Sequence, residues 1–300
     1  MDDPAASQPD PDRSPANPDR PPLREEELAR ALVRPGALWR EVRVVATTGS
    51  TNAALVARAR EGAAEGTVLA AEEQTAGRGR LGRIWTAPPG AGLTFSVLLR
   101  PAVPAPCWVW LPLLTGVAVA AAVNRAAAVE ARLKWPNDLL VGDRKLAGIL
   151  VERTEQAERT GQAERAEQGK HGGLGVDAAV VGVGLNVTIS AEELPTATAT
   201  SLALEGRADV DRTALLEAIL GQLEERYRAW LAAAGDPYRS GLRDAYRELC
   251  ATLGRQVRVE LPDGSAVVGA AADIDRDGAL VVRTADGELT VGAGDVVHVR

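Results

Sequence analysis

Apolar positions along the chain follow two periodicities, and each predicts a different kind of element. Short runs in which apolar residues are continuous or alternate with polar ones predict β-strands; they span Glu41–Thr47, Thr67–Ala71, Leu93–Leu99, Lys145–Glu152 and Asp177–Val187. Longer amphipathic or apolar segments predict helices; they span Arg24–Val33, Ala53–Glu61, Leu111–Ala128, Asp211–Ala234 and Tyr238–Cys250. The chain therefore mixes strands and helices up to Cys250.

The pattern changes after Cys250. From Arg255 onward, short apolar stretches are separated by the pairs Asp263-Gly264, Asp277-Gly278 and Asp286-Gly287. Asp-Gly is a typical pair in the tight turn of a β-hairpin. Successive hairpins predict a small β-barrel, which we assign to residues 253–300 as a second domain.

Two segments have little to bury in a core. Residues 1–23 contain seven prolines among Asp, Ser and Asn, a composition that predicts a disordered tail. Residues 153–175 repeat Glu, Gln, Arg and Gly around one large apolar residue, Leu174, so we predict a mobile insertion there. The main domain then comprises residues 24–252.

Charge and residue counts exclude several classes of protein. The net charge of −7 argues against non-specific nucleic-acid binding as the main role. Two cysteines, Cys107 and Cys250, lie far apart without histidine neighbours, which favours neither a disulfide framework nor a metal site. With two histidines in the chain, zinc chemistry and a histidine-based triad are both poorly supported.

One segment is long enough and apolar enough to raise the question of a membrane. No charged residue occurs from Pro101 to Asn124, a length that could span a bilayer. Four prolines interrupt its first half, so we predict a buried core helix that begins near Leu111. The N-terminus lacks the apolar core of a signal peptide, and we expect a cytoplasmic protein that does not bind membranes.

A glycine- and arginine-rich stretch carries the strongest chemical signal. It runs from Gln74 to Trp85 and contains Gly77, Arg78, Gly79, Arg80, Gly82 and Arg83. Glycines let backbone N–H groups approach an anion, and arginines add bidentate donors. The stretch predicts a loop over a polyanionic small molecule; the alternative is a flexible surface turn. Its match to G-x-G-x-x-G is not a dinucleotide fingerprint, because the proline-rich sequence that follows cannot begin a helix.

Three further groups of polar residues and glycines accompany this loop. Ser50, Thr51 and Asn52 lie at a strand-to-helix turn, where they would either cap the helix or bind a polar ligand head. Lys134, Asn137, Asp138 and Lys145 form a second group, in which Asp138 is a candidate magnesium ligand and the alternative is an exposed turn. Gly182, Gly184 and Asn186 interrupt an apolar strand, where glycine often marks close approach of a ligand or backbone.

These motifs, taken in order, resemble those of biotin–protein ligase. The matching segments are Ser50–Asn52, Gln74–Arg83, Lys134–Asp138, Arg144–Glu152 and Gly182–Asn186. The resemblance implies an α+β fold with a central mixed β-sheet flanked by helices, as in the catalytic domains of biotin ligases and class II aminoacyl-tRNA synthetases. It also implies that the C-terminal barrel is SH3-like.

The resemblance further implies a reaction in two steps. Biotin would attack the α-phosphate of ATP in the presence of Mg²⁺, giving biotinoyl-5′-AMP and pyrophosphate. A lysine of a biotin carboxyl carrier domain, in acetyl-CoA carboxylase or a related carboxylase, would then take the biotinyl group and release AMP. No tightly bound prosthetic group is expected.

The family's functional residues map onto matching positions of this chain. Lys145 and Arg80 would be catalytic. The biotin and adenylate pocket would be lined by Ser50, Thr51, Asn52, Gln74, Gly77, Arg78, Gly79, Arg80, Arg83, Trp85, Lys145, Gly148 and Asn186. Trp85 would pack against the adenine and Arg83 would help hold the closed loop. Asn137 and Asp138 would lie near the phosphates, with Asp138 as the metal ligand.

The resemblance leaves partners and alternatives to be tested. Because no winged-helix segment precedes the catalytic core in this sequence, we expect no DNA binding or repressor activity, and a monomer or weak homodimer. The nearest alternative is a lipoate–protein ligase, which shares the fold and the adenylation chemistry. A non-enzymatic nucleic-acid-binding module is the alternative from a different class.

Overall fold

The computed structural model describes residues 20–154, 178–261 and 263–299. Most of the predicted tail and nearly all of the predicted insertion therefore lie outside the described residues. Strands of the main domain are β1 (Glu41–Thr48), β2 (Thr67–Gln74), β3 (Gly92–Leu99), β4 (Ala131–Lys134), β5 (Asp138–Val141), β6 (Arg144–Thr154) and β7 (Ala178–Asn186). Its helices are α1 (Glu25–Leu32), α2 (Thr51–Arg60), α3 (Leu111–Ala127), α4 (Arg212–Ala232) and α5 (Leu242–Leu249). Short 3₁₀ turns span Arg80–Gly82 and Ala105–Trp110.

The seven strands form one mixed sheet in the order β1-β2-β3-β7-β6-β5-β4. Strands β1 and β2 run parallel, whereas the other neighbouring pairs are antiparallel. This arrangement confirms the predicted α+β class with a central mixed sheet.

The alternation of residues in β3 shows how the two faces of the sheet are used. Leu93, Phe95 and Val97 belong to the large core that contains α3 and α4. Leu98 packs on the other face, in a smaller cluster with Leu55 of α2. Helices therefore cover both faces, since side chains alternate between faces along a strand.

The uncharged segment that could have spanned a membrane is a core helix. Among the described residues, Ala105–Ala127 has the length and hydropathy of a span, and 72% of its most apolar window is buried inside the protein. Helix α3 within it begins at Leu111, as predicted, and packs against α4.

The C-terminal strands are β8 (Gln256–Glu260), β9 (Ala266–Ile274), β10 (Leu280–Thr284), β11 (Gly287–Val291) and β12 (Asp295–His298). They form a five-stranded antiparallel sheet in the order β11-β10-β9-β8-β12. Asp263-Gly264 and Asp277-Gly278 lie between consecutive strands, and Asp286-Gly287 leads from the β10–β11 turn into the first residue of β11, which confirms the predicted hairpins.

Two buried tryptophans of the main domain hold the β9–β10 turn. The indole nitrogen of Trp135 donates to the Gly278 carbonyl at 2.9 Å, and that of Trp110 donates to the Arg276 carbonyl at 2.7 Å. Both rings are almost fully buried. Trp135 of the Lys-Trp-Pro-Asn-Asp motif therefore anchors the C-terminal domain beside the polar residues of that motif.

A second contact at this junction involves His298. Thr252 Oγ1 accepts from the Trp135 backbone N–H at 3.1 Å and lies 3.2 Å from His298 Nε2. On the other side, Arg255 Nη1 lies 3.1 Å from His298 Nδ1. Because an arginine only donates, Nδ1 is the acceptor and Nε2 carries the proton of a neutral imidazole. The pKa of His298 is lowered to about 4, mainly by burial and also by the charges of Arg255 and Lys134, while the charge of Asp143 acts in the opposite direction.

The depressed pKa of His298 predicts that this contact weakens in acid. Unfolded histidine has a pKa of about 6.5, so the stabilisation is complete above that pH and is lost as pH falls towards 4. We expect the difference in free energy of unfolding between wild type and His298→Gln to narrow by about 1–2 kcal/mol from pH 7 to pH 4.5, after allowance for partial exposure. Urea titrations of both proteins at the two pH values measure this difference. If the difference in free energy of unfolding does not change with pH, the lowered pKa of His298 is contradicted.

Candidate active site

Most of the predicted site residues surround one pocket, which lies over the sheet and under the glycine–arginine loop. From the predicted set, the pocket is lined by Ser50, Thr51, Asn52, Gln74, Arg78, Gly79, Arg80, Arg83, Trp85, Asn137, Asp138, Lys145 and Gly148. Segments that lie far apart in the sequence therefore line the same pocket.

The floor of the pocket is a row of small residues across the sheet. Strand pairing aligns Thr94 of β3 with Gly184 of β7, Gly184 with Gly148 of β6, and Gly148 with Asp138 of β5. A Cβ atom at Gly184 would lie 2.2 Å from the Trp85 ring, so the indole rests directly on this floor. The groups closest to the strand glycines are protein side chains, whereas the sequence predicted a ligand or another backbone at these positions.

The first turn of α2 forms one wall of the pocket. Ser50 caps the helix by accepting from the Ala53 backbone N–H at 3.4 Å. Gln74 Oε1, from the end of β2, accepts from the backbone N–H of Thr51 at 2.8 Å and lies 3.0 Å from the Thr51 hydroxyl oxygen. The helix cap therefore uses one of the three polar residues, and the other two are held by tertiary contacts.

Lys145 reaches the pocket because β6 contains a β-bulge. Pairing with β5 shifts between Leu139 and Leu140, so that Leu146 is an extra residue. Side chains alternate along a regular strand, which would place Lys145 and Gly148 on opposite faces. The bulge restores them to the same face, and a Cβ at Gly148 would lie 3.3 Å from Lys145 Nζ.

The Lys145 ammonium group is paired with a carboxylate. Its Nζ lies 2.7 Å from Asp138 Oδ1, and the two side chains are 35% and 17% exposed. The same Nζ lies 5.9 Å from the centre of the Trp85 ring. A lysine and an aspartate thus occupy one end of the glycine floor, within reach of a bound molecule.

Asn137 fixes Arg80, the second predicted catalytic cation. Arg80 Nη1 donates to Asn137 Oδ1 at 2.9 Å, while Asn137 Nδ2 donates to the Ile149 carbonyl at 3.1 Å. Burial lowers the pKa of Arg80, and the charges of Asp295 and Asp138 oppose this shift. An arginine remains a cation at neutral pH, so the loop presents a fixed positive charge to the pocket.

The loop is also tied to the C-terminal domain. Arg83 forms an ion pair with Asp295 of β12, and Arg80 Nη2 lies 3.5 Å from the Gly294 carbonyl. Burial raises the pKa of Asp295, but the hydrogen bond and charge of Arg83 outweigh it, so the pKa lies below its ordinary value. Asp295 therefore stays ionised and lines the pocket from the second domain.

Two predicted residues have structural surroundings outside the pocket lining. Asn186 is 4% exposed and donates from Nδ2 to the Thr200 carbonyl at 2.8 Å. Gly77 accepts from the Trp85 backbone N–H at 3.0 Å, and a Cβ there would lie 2.3 Å from the Trp85 carbonyl oxygen. Gly77 thus lets the two arms of the loop pack together.

Sequence reasoning did not identify every residue of the lining. The additional residues are Leu81, Ile84, Thr94, Ile149, Leu150, Val183 and Asp295. The partial alternation of β3 could have assigned Thr94 to the polar face of its strand. Nothing in the sequence links Asp295 to the loop, because their contact depends on how the second domain packs.

The residues around Asp138 bear on metal binding. No group of three or more His, Cys, Asp or Glu side chains in the described parts of the chain could hold a metal ion. Asp138 offers a single carboxylate, already paired with Lys145. Such a site suits Mg²⁺, which protein sites commonly bind through one or two carboxylates together with substrate phosphates.

Comparison with known proteins gives consistent matches. Residues 44–163 match the Biotin/lipoate A/B protein ligase family, and residues 252–299 match the Biotin protein ligase C terminal domain. The chain is 44% identical to the biotin–[acetyl-CoA-carboxylase] ligase of Mycobacterium tuberculosis, over 93% of this chain and 97% of that protein. It is 32% identical to the bifunctional ligase/repressor BirA of Escherichia coli, over 86% of this chain and 74% of that protein.

Solved structures extend the comparison to the fold. Biotin protein ligase from Aquifex aeolicus in complex with biotin and ATP matches with a TM-score of 0.67 at 25% identity, covering 87% of this chain and all (100%) of that one. The Leishmania major enzyme in complex with biotinyl-5-AMP matches with a TM-score of 0.52 at 22% identity, covering 85% and 99%. The second match supports the fold.

Proposed function

The chain belongs to the biotin protein ligase family, and from this premise we propose that its loop-covered pocket is where biotin and ATP react. The protein is an ATP-dependent biotin ligase. The proposed reaction joins the biotin carboxylate to the α-phosphate of ATP, forming biotinoyl-5′-AMP and pyrophosphate. A lysine of a biotin carboxyl carrier domain then attacks the acyl carbon and releases AMP.

The observation that carries the proposal is the convergence of Lys145 and Arg80 on the glycine floor. A carboxylate attacking a phosphate brings two anions together, so fixed cations must offset their repulsion and stabilise the charge that develops. Lys145 approaches the pocket from the sheet, and Arg80 approaches it from the loop. Their separate origins allow them to contact a ligand from two sides.

Lys145 is proposed to contact the biotin carboxylate and the α-phosphate. In the structure its partner is Asp138, which holds the ammonium group at the edge of the floor. Arg80 is proposed to contact the phosphates, with Asn137 fixing the direction of its guanidinium group. Both cations are therefore held in place by protein groups, which reduces the reorganisation needed in the transition state.

The loop is proposed to protect the adenylate from water. An acyl-adenylate hydrolyses unless solvent is excluded, and the segment from Arg78 to Trp85 lines the pocket on the side away from the sheet. Its ion pair with Asp295 and the packing of Trp85 on Gly184 hold it against both domains.

Mg²⁺ is proposed as the activator, with Asp138 as its protein ligand. When bound with ATP, the ion would neutralise phosphate charge. Asp138 fits this role because it is ionisable, lies in the pocket lining and has just one cationic partner among the described residues. When the phosphates bind, Lys145 would either share the Asp138 carboxylate with the ion or lose its contact with that carboxylate.

The proposed function is tested by mixing the protein with ATP, Mg²⁺, a carrier domain and either biotin or lipoate. Label transfer to the carrier is then measured, with omission of ATP as the control. We expect ATP-dependent transfer of biotin and little transfer of lipoate. Transfer of lipoate alone, or of neither, would contradict the proposal. The carrier of an acetyl-CoA carboxylase is the first acceptor to test, since the M. tuberculosis relative is named for that substrate.

A further inference from the structure

A buried serine beneath the pocket contacts both polar residues of the first turn of α2. Ser96 of β3 is fully buried, and its Oγ lies 2.7 Å from Thr51 Oγ1 and 2.6 Å from Asn52 Oδ1. Its neighbour in the sheet is Gly182, where a Cβ would lie 2.1 Å from Asn52 Oδ1. Gly182 therefore makes the room that lets Asn52 reach Ser96.

The surrounding hydrogen bonds fix which way the two amide side chains point. Asn52 Nδ2 donates to Glu152 Oε2 at 2.9 Å and lies 3.4 Å from the Leu150 carbonyl oxygen. Turning this amide would bring its oxygen against the Glu152 carboxylate. Gln74 Oε1 accepts from the Thr51 backbone N–H, and turning that amide would bring two donors together. Both amides therefore present their oxygen atoms to the hydroxyls.

The hydroxyls carry too few protons for the contacts they make. Gln74 to Thr51 (3.0 Å), Thr51 to Ser96 (2.7 Å) and Ser96 to Asn52 (2.6 Å) are three oxygen–oxygen contacts in series. Thr51 and Ser96 supply one hydroxyl proton each. With two protons for three contacts, one contact always lacks a proton.

The contact lengths and the other donors decide which contact lacks a proton. A buried acceptor without a donor is costly, and Gln74 Oε1 already accepts from the Thr51 backbone N–H. The contact between Thr51 and Gln74 is also the longest of the three, at 3.0 Å against 2.7 and 2.6 Å. The favoured arrangement directs the Ser96 proton to Asn52 Oδ1 and the Thr51 proton to Ser96 Oγ. Thr51 Oγ1 and Gln74 Oε1 are then left 3.0 Å apart with no proton between them. Both residues line the pocket.

We propose that Ser96 is a positioning residue that turns the Thr51 hydroxyl inward, so that the Thr51–Gln74 oxygen pair accepts an N–H group from the ligand. The inference rests on the proposed function. The cyclic urea of biotin carries two N–H donors, whereas the dithiolane ring of lipoate carries none. Ser96 therefore favours the head group of biotin without touching it.

Calorimetric titration with a matched set of three ligands tests this role. The ligands are biotin and its two cyclic carbamate analogues, in each of which oxygen replaces one urea N–H. We expect Ser96→Ala to weaken biotin binding about tenfold, the effect of one hydrogen bond. Binding of the carbamate that lacks the relevant N–H should change less than about twofold, because that ligand never used the oxygen pair. Affinity for ATP should be unchanged.

Two further variants separate positioning from general stability. Ser96→Cys keeps the size of the side chain with a weaker donor and acceptor, and we expect an intermediate loss of preference for biotin over the carbamate. It also serves if Ser96→Ala does not fold. Thr115→Ala removes another buried hydroxyl, which donates to the Leu111 carbonyl in α3, and we expect it to lower thermal stability without changing that preference.

The outcomes distinguish this proposal from the proposed function. If Ser96→Ala and Ser96→Cys weaken biotin and both carbamates equally, the serine is only structural and the proposal is overturned. If the wild-type protein binds no biotin at all, the proposed function fails, and this proposal fails with it.

Discussion

Replacing Lys145 with alanine is expected to slow adenylate formation by about a hundred- to a thousandfold, the usual effect of removing one group that stabilises charge in the transition state. The ammonium group lies at the end of the glycine floor, where the proposed attack brings a carboxylate against a phosphate. No other side chain of the sheet supplies a cation to the described lining of the pocket. Pyrophosphate release in the presence of biotin and ATP measures the effect directly.

A second variant separates the charge of Lys145 from its bond to Asp138. Lys145→Ala leaves the partly buried Asp138 without its partner, which costs stability. Lys145→Gln can still donate a hydrogen bond to Asp138 but carries no charge. We expect Lys145→Gln to restore much of the thermal stability and little of the rate.

The neighbouring residue offers a matched control. Arg144 is also a cation on β6, but its side chain is 48% exposed and pairs with Glu205 at 2.7 Å, away from the pocket lining. Arg144→Ala should leave pyrophosphate release within about twofold, as expected for an exposed ion pair. Equal rates for wild type and both Lys145 variants would remove Lys145 from the proposed chemistry.

The example of Lys145 shows what the sequence could and could not predict. Strand β6 was predictable from its apolar run, and the position of Lys145 just beyond a turn followed from Gly142-Asp143. The side of the sheet on which Lys145 lies was not predictable, because the bulge at Leu146 depends on pairing with β5. A prediction from strict alternation would have separated Lys145 from Gly148.

Two further features of the structure were not predictable from the sequence, because they also depend on contacts between distant segments. Trp135 and Asp295 act through contacts between the two domains, and local sequence patterns carry no information about such contacts. Amphipathic helices such as α1 and α4 were predictable because their apolar residues recur at helical spacing, and the central strands β3 and β7 were predictable as short apolar runs. The site was predictable in large part because its residues cluster in short motifs.

The strand glycines beneath the pocket provide the second large expected effect. We expect Gly184→Ala to reduce biotin transfer by about a hundredfold, the loss typical of a misplacement near 1 Å in a catalytic site. A Cβ at this position would lie 2.2 Å from the Trp85 ring, closer than side chains approach one another. The ring must therefore leave the floor, and the loop that carries Arg80 and Arg83 moves with it.

Two other glycines make this prediction specific. At Gly148 the nearest atom to an added Cβ is Lys145 Nζ at 3.3 Å, the mobile end of a side chain, so Gly148→Ala should have a smaller effect. Gly221 in α4 has no atom within 4 Å of the added Cβ. Because alanine favours a helix interior over glycine, Gly221→Ala should raise stability by about 0.5–1 kcal/mol without changing transfer.

The cause of the Gly184 effect is tested by removing the ring that the new methyl group would displace. In a Trp85→Ala background, the added Cβ at Gly184 meets no indole, so the second substitution should reduce transfer little beyond the first. Transfer rates of wild type, both single variants and the double variant give the coupling between the two positions. If the double variant loses the product of the two single-variant reductions in transfer rate, the effects are independent. Gly184 would then be needed for a reason other than its contact with the Trp85 ring. Strong coupling would instead show that the bare surface of β7 and the tryptophan of the loop act as one unit, which is how a strand residue far along the chain can control the loop.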